Sequence, residues 1–323
     1  MQIQVIGGGS WGLALTRVLA LNNQNVRLWC RPEDDPDTLR DTRESKKFLP
    51  GVLLPPEIEI APTVNAAAEM VVYAVPSHAM RPVVPQFSFE RNPVRVSVAK
   101  GIENDTLLRM SEIITALAPG SPVVALSGPS HAEEVGRGLP ASLVAASADG
   151  AACKRVQDAF FCSNFRVYTS PDIIGVELGG SLKNVVAIAA GVCDGLGLGD
   201  NAKSALITRG LAEIARLGTA CGASPLTFAG LSGMGDLITT CTSRHSRNRA
   251  VGEAIAQGKK LQEILDSSPM VAEGVRTTRS AHALAEKMGV EMPLTDAVHQ
   301  VLFEDLSARE AIEALMSREP KPE

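Results

Sequence analysis

The chain is expected to be an α/β protein. A mostly parallel sheet wound by helices should fill the first half, followed by an all-α second half. Three observations carry this. Strand-like runs alternate with helical stretches as far as Pro171, the pattern of a parallel sheet. Beyond Pro171 the segments keep a helical period. The third observation is the stretch from Val176 to Gly195, VELGGSLKNVVAIAAGVCDG, which is apolar or small at nearly every position from Leu182 to Cys193. Such a run reads as a helix buried on most of its surface, and only Lys183 and Asn184 interrupt it. Loss of water disfavours an ammonium group, so Lys183 either snorkels its head to solvent or serves chemistry; the stretch alone leaves both open.

The chain has 323 residues, enough for two domains, expected as 1–170 and 171–323. Its 31 basic and 36 acidic residues give a net charge of −5, which argues against nucleic acid as the main partner. A local basic site for a phosphorylated metabolite remains compatible with that balance. The six cysteines lie far apart without a C-x-x-C pair, as expected of reduced, mostly buried thiols, and no metal is expected. MQIQVIGGG enters a strand directly, without a signal peptide, and no apolar run reaches the ~18 uncharged residues of a membrane span. The expectation is a soluble, cytoplasmic protein with no membrane insertion. A homodimer is compatible with the sequence, but no residue argues for one.

The first element is a strand, Gln2 to Ile6, followed at once by Gly7-Gly8-Gly9-Ser10-Trp11-Gly12 and a helical stretch carrying Leu15, Val18 and Leu19. A G-x-G-x-x-G turn between strand and helix is the dinucleotide-binding arrangement of a Rossmann-like domain. Gly7 permits the tight turn, Gly9 the approach of a pyrophosphate, and Gly12 close helix–strand packing. The helix N-terminus adds free N–H groups and its dipole. The second strand, Asn25 to Cys30, ends at Arg31, about nineteen residues after Gly12, where NAD-selective domains place an acidic residue. An arginine suits a 2′-phosphate and favours NADPH modestly, while Glu33, Asp34 and Asp35 keep NADH open.

Further strands are expected at Met70–Val75, Val94–Ala99 and Val123–Leu126, with a Pro-rich loop over 50–62 and a helix over Leu107–Leu117. Ligands of such a sheet bind beyond the strand C-terminal ends, where Ser77-His78, Lys100-Gly101 and Ser127-Gly128-Pro129-Ser130-His131 fall. Lys100 reads equally as a solvated lysine, Gly128 as an ordinary turn, and Ser130 as the cap of a helix entering Glu133-Glu134. His78 and His131 read as structural or solvated more readily than as acid–base groups. Ala141–Ala145 and Phe165–Tyr168, flanking a helix around Lys154–Phe161, close the sheet.

Helical segments then follow at Val176–Gly191, Ala205–Leu217, Ala250–Ile255, Arg279–Met288, Leu294–Leu302 and Ala308–Leu315, with Gly222, Gly258 and Gly289 where C-caps are expected. Lys183 lies on the first of them. Gly230-Leu231-Ser232-Gly233-Met234-Gly235-Asp236 is a glycine-dense turn that delivers a carboxylate at a helix start. Asp236 reads either as an N-cap or as part of a site. Ser246-Arg247-Asn248-Arg249 opens another helix and reads as a solvated basic turn or as an arginine with Ser and Asn donors around a phosphate.

Taken together, GGGSWG, VAKGIE, LSGPSHAEEV, ELGGSLKNVVAIAAG, GLSGMGDLITTCTSRHSRNR and VAEGV resemble, in order, the signatures of the bacterial NAD(P)-dependent glycerol-3-phosphate dehydrogenases. The resemblance runs from Ile3 to about Phe303. The cofactor loop reads Gly-Gly-Gly where Gly-Ala-Gly is commoner. By position, the resemblance implies Lys183 as the base, with Lys100, Gly128, Ser130, Asp236, Ser246, Arg247 and Asn248 around the substrate. It implies Ser10, Trp11, Arg31, Lys100, Ala132, Arg247, Val271 and Glu273 as cofactor contacts. The implied reaction reduces dihydroxyacetone phosphate to sn-glycerol 3-phosphate with NADPH or NADH, or runs in reverse, feeding glycerophospholipid synthesis.

That chemistry suits the residues. Hydride transfer to a ketone carbon builds negative charge on oxygen, where a cation that also gives a proton is wanted, and Lys183 offers both. Two other readings stay open. A related two-domain hydroxyacid dehydrogenase or ketoacid reductase also pairs a Rossmann-like domain with a lysine-bearing helical one, and a carboxylate substrate needs fewer donors than Ser246–Arg249 supply. A non-catalytic NAD(P) redox sensor would keep the glycine turn but have no use for Lys183, Asp236 and Arg247 together.

Overall fold

The computed structural model describes residues 1–266 and 272–319. The chain forms two compact units, Met1–Lys100 with Arg109–Glu177, and Gly101–Leu108 with Leu178–Glu323.

The first unit is built on an eight-stranded sheet: β1 (Gln2–Ile6), β2 (Asn25–Trp29), β3 (Glu59–Ile60), β4 (Met70–Tyr73), β5 (Val94–Ser97), β6 (Val123–Ser127), β7 (Ala141–Ala146) and β8 (Phe165–Ser170). The order is β3-β2-β1-β4-β5-β6-β7-β8, parallel except for the antiparallel β6–β7 pair. Every residue of β4 and β5 is buried, the continuous apolar signature of a sheet covered on both faces. Gln4, wholly buried on β1, is satisfied: its amide donates to the Val5 and Arg27 carbonyls and accepts from Asn65 N–H at 2.8 Å. The strand order reverses between β1 and β4, so the C-terminal ends of these strands form the switch point at which such sheets bind ligands.

Helices α1 (Ser10–Leu21), α2 (Pro36–Thr42), α3 (Met80–Val83), α4 (Met110–Leu117), α5 (Ala132–Gly136) and α6 (Gly150–Phe160) complete the unit. Leu13, Leu15 and Leu19 of α1 pack in one core with Val5, Leu28, Val72 and Val96 of the strands. Two sequence expectations change here. The Pro-rich loop contains β3, a two-residue edge strand pairing Arg27 with Glu59, too short for any periodicity to reveal. Helix α4 starts at Met110 rather than Leu107, because Leu107 is left-handed (φ 59°). Its N-terminus is tied by buried Glu177, which accepts from Ser111 N–H at 2.7 Å and from Arg109 at 2.6 Å. Burial pushes the Glu177 carboxyl up, against the pull of Arg109 and Ser111.

The helix that begins at Ile173, α7 (Ile173–Gly195), continues into the second unit. There it is followed by α8 (Gly199–Ala220), α9 (Asp236–Thr242), α10 (Arg247–Ala256), α11 (Leu261–Asp266), α12 (Glu273–Met288), α13 (Pro293–Phe303) and α14 (Ala308–Met316). By length and mean hydropathy α7 could cross a membrane, but Glu177, Lys183 and Asp194 interrupt it, so that no 18-residue uncharged run exists, and 89% of its most apolar window is buried inside the protein. It is a core helix, and α10 packs directly on its backbone. A Cβ on Gly191 would lie 1.9 Å from the Arg249 carbonyl oxygen, and one on Gly252 1.9 Å from that of Ile188. Buried Glu213 of α8 accepts from the Leu294 and Thr295 N–H groups and so caps α13.

Candidate active site

In the first unit the G-x-G-x-x-G turn joins β1 to α1 as the sequence requires. Gly7 has φ 118°, and a Cβ there would sit 2.4 Å from the Ala74 carbonyl oxygen. A Cβ on Gly12 would meet the Gly7 carbonyl oxygen at 2.0 Å, so the helix can start only against a glycine. At Gly9, by contrast, a Cβ would meet nothing within 4 Å, and no side chain caps the N-terminus of α1. Open space beside a helix N-terminus that no side chain caps fits a pyrophosphate, with Ser10 and Trp11 forming the first residues of the helix.

At the end of β2, Arg31 directs its guanidinium fork onto Asp34, at 3.0 and 2.9 Å. The arginine side chain is 62% exposed and the aspartate 6%. The hydrogen bond that the guanidinium donates to Asp34 holds its pKa above the ordinary value. Beyond β5 and β6, Lys100 Nζ donates to the Gly128 carbonyl at 3.0 Å and lies 3.4 Å from Ser130 Oγ, which itself donates to Gly128 at 2.8 Å. These three candidates therefore form one group. Ser130 is not a helix cap: α5 starts at Ala132 with His131 at the cap position and no side-chain cap bond. Ala132 is buried at that first position.

In the second unit Lys183 and Asp236 are 5% and 0% exposed. Lys183 Nζ donates to Asp236 Oδ1 and, at 2.6 Å, to Thr240 Oγ1. Asp236 is the first residue of α9 and does not cap it; the cap position is Gly235. The glycine-dense turn before it explains the burial, since a Cβ on Gly179 of α7 would lie 2.6 Å from the Ser232 carbonyl oxygen. Thr240, one helical turn beyond Asp236, was missed by the sequence reading; its only signal is the i, i+4 spacing from Asp236. Beneath them the Cys241 thiol is pushed up to about 12, chiefly by burial, with Lys183 pulling the other way.

Ser246 caps α10 by accepting from Arg249 N–H at 3.3 Å. Arg247, the first helical residue, is exposed and makes no hydrogen bond or ion pair among the described residues. Asn248 turns inward: its Nδ2 donates to Asn184 Oδ1 and its Oδ1 accepts from Gly274 N–H, both at 2.9 Å. Its side-chain amide is thus engaged in joining α7, α10 and α12. Glu273 opens α12 and is half-buried, while Val271 lies outside the described residues. Among the described residues no group of three or more His, Cys, Asp or Glu side chains could hold a metal ion.

Residues 2–153 match the family model for the N-terminal part of NAD-dependent glycerol-3-phosphate dehydrogenase, and residues 172–313 the model for its C-terminal part. A Pelotomaculum thermopropionicum protein named glycerol-3-phosphate dehydrogenase (NAD(P)+) is 52% identical, over 98% of this chain and 93% of its own. The protein of that name from Bacillus subtilis is 50% identical over 98% of this chain and 94% of its own. The crystal structure of glycerol-3-phosphate dehydrogenase from Coxiella burnetii superposes with a TM-score of 0.94 at 37% identity, covering 98% of this chain and 99% of that one.

Proposed function

The chain belongs to the NAD-dependent glycerol-3-phosphate dehydrogenase family, and from that premise we propose that Lys183 delivers and takes back the proton in its reaction. The enzyme reduces dihydroxyacetone phosphate to sn-glycerol 3-phosphate with NAD(P)H, reversibly, a step that supplies phospholipid synthesis. Neither the ketoacid reductase nor the redox-sensor reading gains support from any of the relatives.

When bound, the nicotinamide supplies or takes up the hydride. As the ketone carbon becomes an alcohol carbon, negative charge builds on its oxygen. The Lys183 Nζ stabilises that charge and transfers a proton to it, so that ketone, hydride and proton together make the secondary alcohol. In the opposite direction the neutral amine collects the hydroxyl proton. Asp236 and Thr240 hold Nζ against α9 and so fix where it stands. The observation that carries this reading is a fully buried lysine whose head ends on a carboxylate and a hydroxyl from one helical turn.

Arg247 and the first N–H groups of α10 would bind the substrate phosphate, with the Ser246 hydroxyl beside them. Asn248 would contribute through its backbone, because its side chain is engaged elsewhere. Binding energy from the non-reacting phosphate then orients the ketone. Lys100, with Gly128 and Ser130, would supply a second cation for the substrate or cofactor. For the cofactor, Gly7, Gly9, Ser10, Trp11, Gly12, Arg31 and Ala132 are the candidate contacts, with Glu273 in the helical unit. NADPH is favoured over NADH by Arg31, and only modestly, since Asp34 already takes up part of its charge. The free thiols fit the reducing environment of the cytoplasm.

The test follows nicotinamide absorbance with purified protein, NADPH or NADH, and small ketones with and without phosphate. Rapid oxidation with dihydroxyacetone phosphate and almost none with dihydroxyacetone is the expected result. Turnover of a keto acid instead would overturn it.

A further inference from the structure

Three consecutive residues at the start of α10 point in three directions, and two of them are anchored. Asn248 is tied to Asn184 of α7 and to Gly274 of α12. Arg249 Nε donates to Asp194 Oδ2 at 2.6 Å, near the C-terminal end of α7, and its other end reaches Glu253 at 2.6 Å. Asp194 is braced in turn, since Lys203 of α8 donates to both of its oxygens at 2.9 and 2.8 Å. Only Arg247 is left pointing outward.

The glycine contacts between α7 and α10 bring the two backbones together but do not set how α10 is rotated about its own axis. Anchors on neighbouring residues do. Successive residues on an α-helix lie about 100° apart, so fixing Asn248 and Arg249 together leaves the first turn no rotational freedom. Arg247 then projects on the far flank of Asn248. Burial tends to raise the Asp194 carboxyl, but the hydrogen bonds from Lys203 and Arg249 outweigh it and hold the group below the usual carboxylate range. Asp194 is therefore ionised at neutral pH.

We propose that Asp194, braced by Lys203, is a positioning residue for substrate binding: by holding Arg249 it sets the rotation of the first turn of α10 and so aims Arg247 at the substrate phosphate. This rests on the reading of Arg247 as the phosphate-binding arginine. Asp194 touches neither substrate nor cofactor and acts through the arginine two residues before its own partner.

Asp194→Asn and Arg249→Gln, each alone and each combined with Arg247→Ala, test it. The readout is the ratio of kcat/KM for dihydroxyacetone phosphate to that for dihydroxyacetone, together with the Kd for NADPH. Each single variant lowers that ratio roughly tenfold, since small misplacement of a binding group is enough to do so, and moves the Kd for NADPH by clearly less, because Arg247 is one candidate cofactor contact among several. In the Arg247→Ala background the same substitutions change the ratio less than about twofold, because the group they aim is gone. Arg249→Lys, which keeps the charge, recovers part of the loss. A general loosening of the fold would instead lower both substrates equally and multiply with Arg247→Ala, and that result overturns the proposal. Single variants with the wild-type ratio overturn it as well. Arg247→Ala with an unchanged ratio refutes the phosphate reading itself, whereas an Arg247→Ala defect beside a silent Asp194→Asn refutes only the positioning role. Should Arg249→Gln not fold, Asp194→Asn and Arg249→Lys decide the question on the same readout.

Discussion

Lys183 and Asp236 lie 53 positions apart in the chain and meet as a buried ion pair, the lysine side chain 6% and the aspartate 1% exposed. Each is an unfavourable residue at its position taken alone: a lysine in the apolar face of α7, and an aspartate sealed at the start of α9. Together they neutralise each other, and Thr240 takes a further N–H of the same ammonium.

Replacing Lys183 by Ala is expected to lower kcat by about 10²–10⁴, with the NADPH Kd nearly unchanged. Steady-state turnover and cofactor fluorescence check this, and near-normal turnover would refute the role given to Lys183.

The same substitution leaves Asp236 buried without its cation and is expected to cost about 3–5 kcal/mol of stability by urea unfolding. Lys183→Met with Asp236→Leu, which removes both charges, should recover most of that stability and none of the activity. A single variant as stable as the wild type would mean that water reaches Asp236.

Arg247 is exposed and makes no hydrogen bond or ion pair among the described residues. Arg247→Ala should therefore keep Tm within about 2 °C while kcat/KM for dihydroxyacetone phosphate falls by roughly 10–100-fold, the loss of a charge-assisted contact. Equal losses with the unphosphorylated ketone would count against a phosphate role.

Arg31→Asp is expected to shift the kcat/KM ratio of NADPH to NADH towards NADH by roughly tenfold or more. The guanidinium that would meet a 2′-phosphate is replaced by a carboxylate that repels it. An unaltered ratio would place the discrimination elsewhere.

The Cys30 and Cys241 thiols are both pushed up to about 12 by burial, and Cys153 and Cys193 are also buried and raised. At pH 8 an aromatic disulfide reagent should reach at most Cys162 and Cys221 in the native protein, and all six thiols after denaturation. Rapid labelling of Cys241 with loss of activity would show that the Lys183 site opens readily.

Much of this was legible without coordinates. The alternation of strands and helices, the glycine turn after β1, and the switch to helical period after Pro171 each depend on local chemistry: side-chain periodicity, the conformational freedom of Gly7, and the fixed φ of proline. The candidate residues were legible for a related reason. Lys183, Asp236 and Arg247 are types that local packing does not call for, and they stand out against apolar or glycine-rich surroundings. The two-residue strand β3 was not legible, because two residues carry no period and its pairing partner Arg27 is remote in sequence.

What the sequence by itself determined is therefore the set of elements and the identity of the exceptional residues. Only the tertiary structure decided how those residues are used. It turned Asn248 inward to Asn184 and Gly274, gave Thr240 to Lys183, set Asp194 against Arg249, and made Glu177 and Glu213 into caps for helices begun elsewhere in the chain. Each of these is a buried or half-buried polar group whose partner is distant in sequence. Desolvation obliges such a group to find a partner, but which one it finds depends on which helices come to lie side by side.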